Sequence, residues 1–133
     1  MPRSRTVRRR LTRVAATALC GAALSFTLAA PAHATTQTVS FTYQHLWLTP
    51  EISTRARGAI SFVVQKCDHP DQKMTVLLRR TDGFNYDIGS RTIYCRAGQR
   101  AAFADQPKGT FEFELGKLDD GKVFKGTGTS SFT

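Results

Sequence analysis

From residue 35 onward, polar and apolar positions alternate in short runs, and no stretch carries a helical period. In the run 36–48, Val39, Phe41, Tyr43, His45 and Trp47 fall on one face, with Ser40, Thr42 and Gln44 on the other. This predicts a first strand that Pro50 ends, with Leu46 and Leu48 blurring its far face. Gly58–Lys66 predicts a buried strand through Ile60, Phe62, Val63 and Val64, and Lys73–Arg80 another with Met74, Val76 and Leu78 on one face. The Asp/Pro-rich turn between them predicts that these two strands form a hairpin.

The segment Thr81–Gly89 reads as a longer connection carrying Phe84 and Tyr86. Two short strands follow, Arg91–Arg96 with Cys95 pointing outward, and Gln99–Ala104. Thr110–Leu115 has the cleanest alternation, with Phe111, Phe113 and Leu115 inward and Glu112 and Glu114 outward. Asp119-Asp120-Gly121 then predicts a hairpin turn into a last strand, Lys122–Phe132. In that strand Gly126 and Gly128 suggest a bend, a bulge or an edge position. Seven short strands at such spacing predict one all-β domain over 35–133, an antiparallel β-sandwich with a small barrel or jelly roll as the alternative.

The first 34 residues belong to a different pattern. Arg3, Arg5, Arg8, Arg9, Arg10 and Arg13 precede the uncharged run Val14–Ala30 and the small-residue site Ala32-His33-Ala34. That order predicts a signal peptide over 1–34, cleaved after Ala34, and a secreted protein with no membrane-spanning segment after cleavage. The arginine run admits the twin-arginine route as well as Sec, Cys20 is expected to leave with the leader, and the composition has a bacterial look.

Removing the leader changes the electrostatics. The whole chain is +9, but six of its 19 basic residues lie in the leader, so 13 remain against 10 acids, a net of +3. Five arginines, Arg79, Arg80, Arg91, Arg96 and Arg100, stand in one window with only Asp82 and Asp87, and this local patch carries the whole excess. Two cysteines, Cys67 and Cys95, remain and in an oxidising compartment have one intramolecular pairing open to them.

Three constellations could carry chemistry. Cys67-Asp68-His69-Pro70-Asp71 offers an imidazole and carboxylates, yet too few ligands in too short a span for a tight metal site, and reads more simply as a turn. Tyr43, His45 and Trp47 could form a stacking platform, or be core. Arg79, Arg80, Arg91 and Arg96 with Tyr86 and Tyr94 join guanidinium forks to aromatic rings, which suits oxyanions, and Trp47 is a further candidate contact. For catalysis the sequence holds no nucleophile elbow and no histidine–glutamate metal motif, so no catalytic residue, metal or cofactor is predicted.

The reading that results is a small secreted, non-catalytic binding protein for an anionic surface or polymer, with a cell-wall polymer or an acidic polysaccharide as the candidate partner. One alternative is a module directed at an extracellular protein, a protease inhibitor or toxin, presenting Thr81–Ser90 as a tip anchored by the neighbouring disulfide. The other is a small hydrolase using His45 or His69.

Overall fold

The structure is a computed structural model and describes residues 35–133; the predicted signal peptide lies outside the described residues. Nine strands form two antiparallel sheets: β1 (Thr35–Tyr43), β2 (Leu46–Leu48), β3 (Ile52–Thr54), β4 (Gly58–Cys67), β5 (Lys73–Arg80), β6 (Tyr86–Tyr94), β7 (Arg100–Gln106), β8 (Gly109–Gly116) and β9 (Phe124–Phe132). Sheet A has the order β1-β9-β4-β7. Sheet B has the order β2-β8-β5-β6, with β3 beside β2 on the same edge of β8. The chain is thus an all-β sandwich, and among the described residues no helix is long and apolar enough to cross a membrane.

Alternation builds the core as the pattern requires. Val39, Phe41 and Tyr43 of β1, Ile60, Phe62 and Val64 of β4, and Met74, Val76 and Leu78 of β5 are buried, as are Phe111, Phe113 and Leu115 of β8. Tilted aromatic contacts run through the layer from Tyr43 to Phe41 (5.8 Å), Phe62 (6.5 Å), Phe113 (5.6 Å) and Phe103 (6.1 Å).

The connections differ from expectation. The run 36–48 is two strands in different sheets, because the chain bends at Gln44-His45. Phase is kept across the bend, so Trp47 still packs on the core (6.3 Å to Phe41), whereas His45 is exposed in the corner. β4 and β5 do not form a hairpin; the turn Asp68–Gln72 carries the chain from sheet A to sheet B. Asp119-Asp120-Gly121 likewise links β8 of one sheet to β9 of the other. Among the described residues the one tight hairpin is β5–β6, whose turn is Thr81–Asn85, so the predicted long connection is strand from Tyr86 onward and Cys95 falls just past the end of β6, buried. Each strand pattern contained the apolar face but no mark of which neighbour it would pair with.

The glycine-bearing last strand is central, not an edge: β9 lies between β1 and β4. A Cβ at Gly126 would stand 2.1 Å from the Lys66 carbonyl oxygen and 2.7 Å from Cζ of Phe41, and one at Gly128 would stand 2.2 Å from Cζ of Phe62. The glycines are where the rings of Phe41 and Phe62 lie across the strand.

Opposite them β4 carries a bulge. Val64 pairs with Gly128, yet Lys66 pairs with Thr127 and Cys67 with Gly126. One extra residue reverses the facing of the strand's end, turning Lys66 outward and Cys67 inward. Cys67 thereby meets Cys95 in a disulfide that ties the end of sheet A to the end of sheet B, with 5.6 Å between the Cα atoms. On the chain-entropy account such a link stabilises a domain by roughly 3–4 kcal/mol.

Gly128→Ala is expected to lower stability by about 1–3 kcal/mol through overpacking against Phe62, read as a lower urea midpoint. Thr129→Ala, one position along on the solvent side, is expected to change it by less than about 0.5 kcal/mol.

Candidate functional site

The outer face of sheet B is built from in-register rungs. Glu112, Arg79 and Asp87 lie across β8, β5 and β6; Glu114, Leu77 and Ser90 form the next rung, and then Gly116, Thr75 and Thr92. At the far end Lys73 faces Tyr94.

This register neutralises the first of the candidate arginines. Arg79 is 26% exposed and meets three carboxylates, with Nε 2.8 Å from Asp87, Nη2 3.0 Å from Glu114 and Nη1 3.7 Å from Glu112. The hydrogen bond to Asp87, with the other two charges, raises its pKa. The immediate surroundings are net negative, which opposes an anionic ligand.

Arg80 is also engaged. Its fork closes on Asp82 (Nε–Oδ1 2.5 Å, Nη2–Oδ2 3.0 Å), Nη2 donates to the Lys108 carbonyl at 3.1 Å, and the guanidinium lies 5.9 Å from the Phe111 ring centre. The Arg80 hydrogen bonds hold the Asp82 carboxyl at about 2, below its ordinary 3.8. Tyr86, half exposed, stands at the same end of the hairpin.

Arg91 has the inward phase of β6, opposite Val76, and its guanidinium lies 5.2 Å from the ring of Phe103 in β7. It covers the open side of the sandwich between β6 and β7. Trp47, packed on Phe41, serves the core in the same way.

Arg96 and Tyr94 lie elsewhere. They stand at the disulfide end, eight residues along β6 from Tyr86, roughly 26 Å in an extended strand. The window of arginines is therefore divided between two ends and one side of the molecule.

The disulfide end gathers charge from segments far apart in sequence. Lys73 lies 5.7 Å and Arg96 5.2 Å from the centre of the Tyr94 ring. Lys66, Arg100, Lys122 and Lys125 come to this end through the pairings Lys66–Thr127 and Val63–Arg100 and through the start of β9. Among the described residues none of these six cations has a carboxylate within 4.0 Å. Sequence reasoning took up only Arg96 and Arg100 of the set. The signal for Lys73 was its place opposite Tyr94, which the mistaken β4–β5 hairpin concealed.

Beside Tyr94 an open groove of about 570 Å³ runs over Thr75 and Thr92, with Lys73 and Tyr94 on one side. Asp71 and Gln72 of the β4–β5 turn and Lys117, Leu118 and Asp120 of the β8–β9 connection form its walls.

Lys117 fixes this wall. Its side chain is 2% exposed, and its ammonium donates to the carbonyls of Gln44 (3.1 Å) and Leu118 (2.8 Å) and to Asp120, while sitting 5.1 Å from the Phe124 ring centre. All three donors are used, so Lys117 positions the groove and is not free to bind. The Lys117 hydrogen bond lowers the pKa of Asp120, whose second oxygen accepts from Gln72 at 3.1 Å, and Gln72 in turn accepts from Lys122 at 2.7 Å.

The two histidines of the described residues, His45 and His69, lie at this same end, each with its own neighbour. His45 Nδ1 is 3.5 Å from Asp119, and the His69 ring packs 5.4 Å from Phe124. Asp68 turns its carboxylate to the backbone N–H of Lys125 at 2.9 Å. Among the described residues no three His, Cys, Asp or Glu side chains stand together as metal ligands. No protein-family model matches the chain, and no curated protein matches it.

The Arg80–Asp82 pair predicts an acid limb in stability. Because the folded-state pKa of Asp82 is depressed, its contribution is full above the ordinary 3.8 and fades as pH falls toward about 2. Urea unfolding midpoints followed from about pH 5 to pH 2 should therefore fall less steeply for Asp82→Asn than for the unchanged protein, with the difference confined to that window.

Proposed function

We propose that this is an exported, non-catalytic binding protein whose disulfide end takes an anionic polymer outside the cell, a cell-wall polymer or an acidic polysaccharide. The observation that carries the reading is the Tyr94 ring flanked by Lys73 and Arg96, two cations without carboxylate partners, at the side of an open groove. A cation on an aromatic ring is held in place yet keeps its charge for a ligand, and the ring gives a sugar or other flat group a surface. The hydroxyls of Thr75 and Thr92 supply neutral hydrogen-bonding groups along the floor.

Export is supported by the arginine-rich, apolar leader, by the Sec or the twin-arginine route, and a disulfide fits the oxidising compartment that lies beyond it. Of the residues singled out by sequence, Tyr94 and Arg96 belong to this reading. Arg79, Arg80 and Arg91 hold the scaffold.

The test is retention of the oxidised, secreted protein on immobilised dextran sulfate and polygalacturonate over a salt series. Binding should weaken steadily as salt screens it. Lys73→Ala with Arg96→Ala should cost about tenfold or more at low salt, since charge-assisted contacts contribute about 1.5–3 kcal/mol each. Arg79→Ala should leave binding within about twofold. Equal loss from Arg79→Ala would overturn the reading.

One further observation favours a second reading, a module directed at an extracellular protein. Phe84 is 94% exposed at the β5–β6 turn, although every other phenylalanine of the described residues is buried. The disulfide is not its anchor, because Cys95 lies at the opposite end of β6; the Arg80–Asp82 pair and the bond from the Thr81 N–H to the Thr110 carbonyl (2.9 Å) hold the turn. If the tip is the contact, Phe84→Ala abolishes capture of an extracellular protein partner and reduction of Cys67–Cys95 under native conditions leaves it intact. Retention on the polyanion should not respond to Phe84→Ala.

A further inference from the structure

Where the outer face of sheet B carries the charged rung Glu112–Arg79–Asp87, the β1–β9 part of sheet A's outer face carries hydroxyls. Its rungs are hydroxyls in register: Thr36 with Ser131, Thr38 with Thr129, and Ser40 with Thr127. Successive rungs are roughly 6.7 Å apart along the strands and neighbouring strands roughly 4.8 Å apart. Charge enters this field near the disulfide end, at Arg100 of β7 opposite Val63 and, between β1, β9 and β4, at two lysines. Lys125 stands beside Thr42, and Lys66 stands beside Thr127 because the β4 bulge turns it outward.

A hollow of about 350 Å³ opens there, and Ser40, Thr42, Thr127, Lys66, Lys125 and Asp68 line it. Neither ammonium has a carboxylate within 4.0 Å among the described residues. Asp68 is the one acid present. Its Oδ1 accepts the Lys125 backbone N–H at 2.9 Å while its own N–H donates to the Lys125 carbonyl at 3.0 Å, so it is held as a strap between the β4 end and β9. Two cations against one engaged carboxylate leave the hollow net positive, with three hydroxyls able to donate.

We infer that this hollow is a second ligand site, on the opposite sheet from the Tyr94 groove, and that it takes one phosphate, sulfate or carboxylate group carried on a saccharide. Two ammoniums and three hydroxyls in so small a volume match a single oxyanion. The uncharged hydroxyl rungs leading away from it match the neutral remainder of a sugar chain and would offer nothing to a continuous polyanion. The bulge also has a reason here, since a bulge re-aims the side chain beside a site. The site rests on the proposed function only for its polymer context; its own chemistry stands on Lys66, Lys125 and the hydroxyls.

The experiment is a backbone-amide NMR titration of the oxidised, secreted protein with trigalacturonate, a sulfated disaccharide and a hexose phosphate, with maltotriose and inorganic phosphate as controls. The expected result is saturable shifts at Ser40, Thr42 and Thr127 with at least one charged sugar, at least about tenfold weaker with maltotriose and with inorganic phosphate alone. These shifts should be lost by about tenfold in affinity in Lys66→Ala/Lys125→Ala and recovered in Lys66→Arg/Lys125→Arg, which keeps the charge. An unchanged spectrum elsewhere in the alanine variant shows that it is folded.

Shifts confined to Thr75, Thr92 and Tyr94 would overturn the second site and leave the first reading standing. Shifts at Ser40, Thr42 and Thr127 with the Tyr94 groove silent would overturn the first reading and leave this one. Equal response to maltotriose would overturn the requirement for charge, and equal response to inorganic phosphate the requirement for a sugar.

Discussion

A single inserted residue in β4 governs the end of the molecule where the candidate chemistry lies. With strict alternation after Ile60, Phe62 and Val64, the next inward position would be Lys66, and Cys67 would face solvent. The bulge exchanges them. Cys67 then reaches Cys95 across the sandwich, and the two sheets are closed together at the point where the β4–β5 turn and the β8–β9 connection leave them. The same residue count places an ammonium on one outer face and lets Asp68 strap onto β9. Covalent closure, charge placement and loop position share one local irregularity, so they cannot be altered independently.

Charge is sorted by what neutralises it. At the hairpin end Arg80 is matched to Asp82, and on the face of sheet B Arg79 has three carboxylates around it. Such pairs give modest stability and restrict the geometry of the strands they join. At the disulfide end, by contrast, Lys66, Lys73, Arg96, Arg100, Lys122 and Lys125 lack carboxylate partners, while the one cation that is fully engaged, Lys117, is buried. A domain of modest net charge thus carries a directed field. The feature that distinguishes a structural arginine from a free one here is the partner across the strand, not the density of arginines along the chain.

That distinction explains what could be read from the sequence. Period-two alternation identified the buried faces of β1, β5 and β8, because burial depends on the strand's own phase, whereas β4 read as a buried run that included the partly buried Val63 and hid the bulge. Pairing depends on a partner elsewhere, and Asp/Pro or Asp/Gly turns mark a reversal of direction without saying whether the chain returns to the same sheet or crosses to the other. Both hairpins assigned on such turns, β4–β5 and β8–β9, are crossings. The disulfide was legible because only two cysteines, Cys67 and Cys95, follow residue 34. The clustering of Lys73 with Tyr94 and Arg96 was not, since it follows from the β5–β6 register. Gly126 and Gly128 were legible as unusual, but their reason is a ring on a neighbouring strand, which no local pattern records.

Sheet A also joins the two ends of the described chain. Thr35 pairs with Phe132 and Tyr43 with Phe124, and β9 is the strand on which both β1 and β4 depend. A chain emerging from its N-terminus first would present β1, nine residues without a formal charge, long before its partner exists. Sheet A cannot close until β9, the last strand of the described residues, has arrived to stand between β1 and β4. Contacts between such distant segments carry a large loop-closure cost and form late. Until then an extended, uncharged segment is open to pairing with whatever strand it meets. The order of synthesis and the order of assembly therefore run against each other in this topology, which favours folding of the whole chain at once over folding segment by segment.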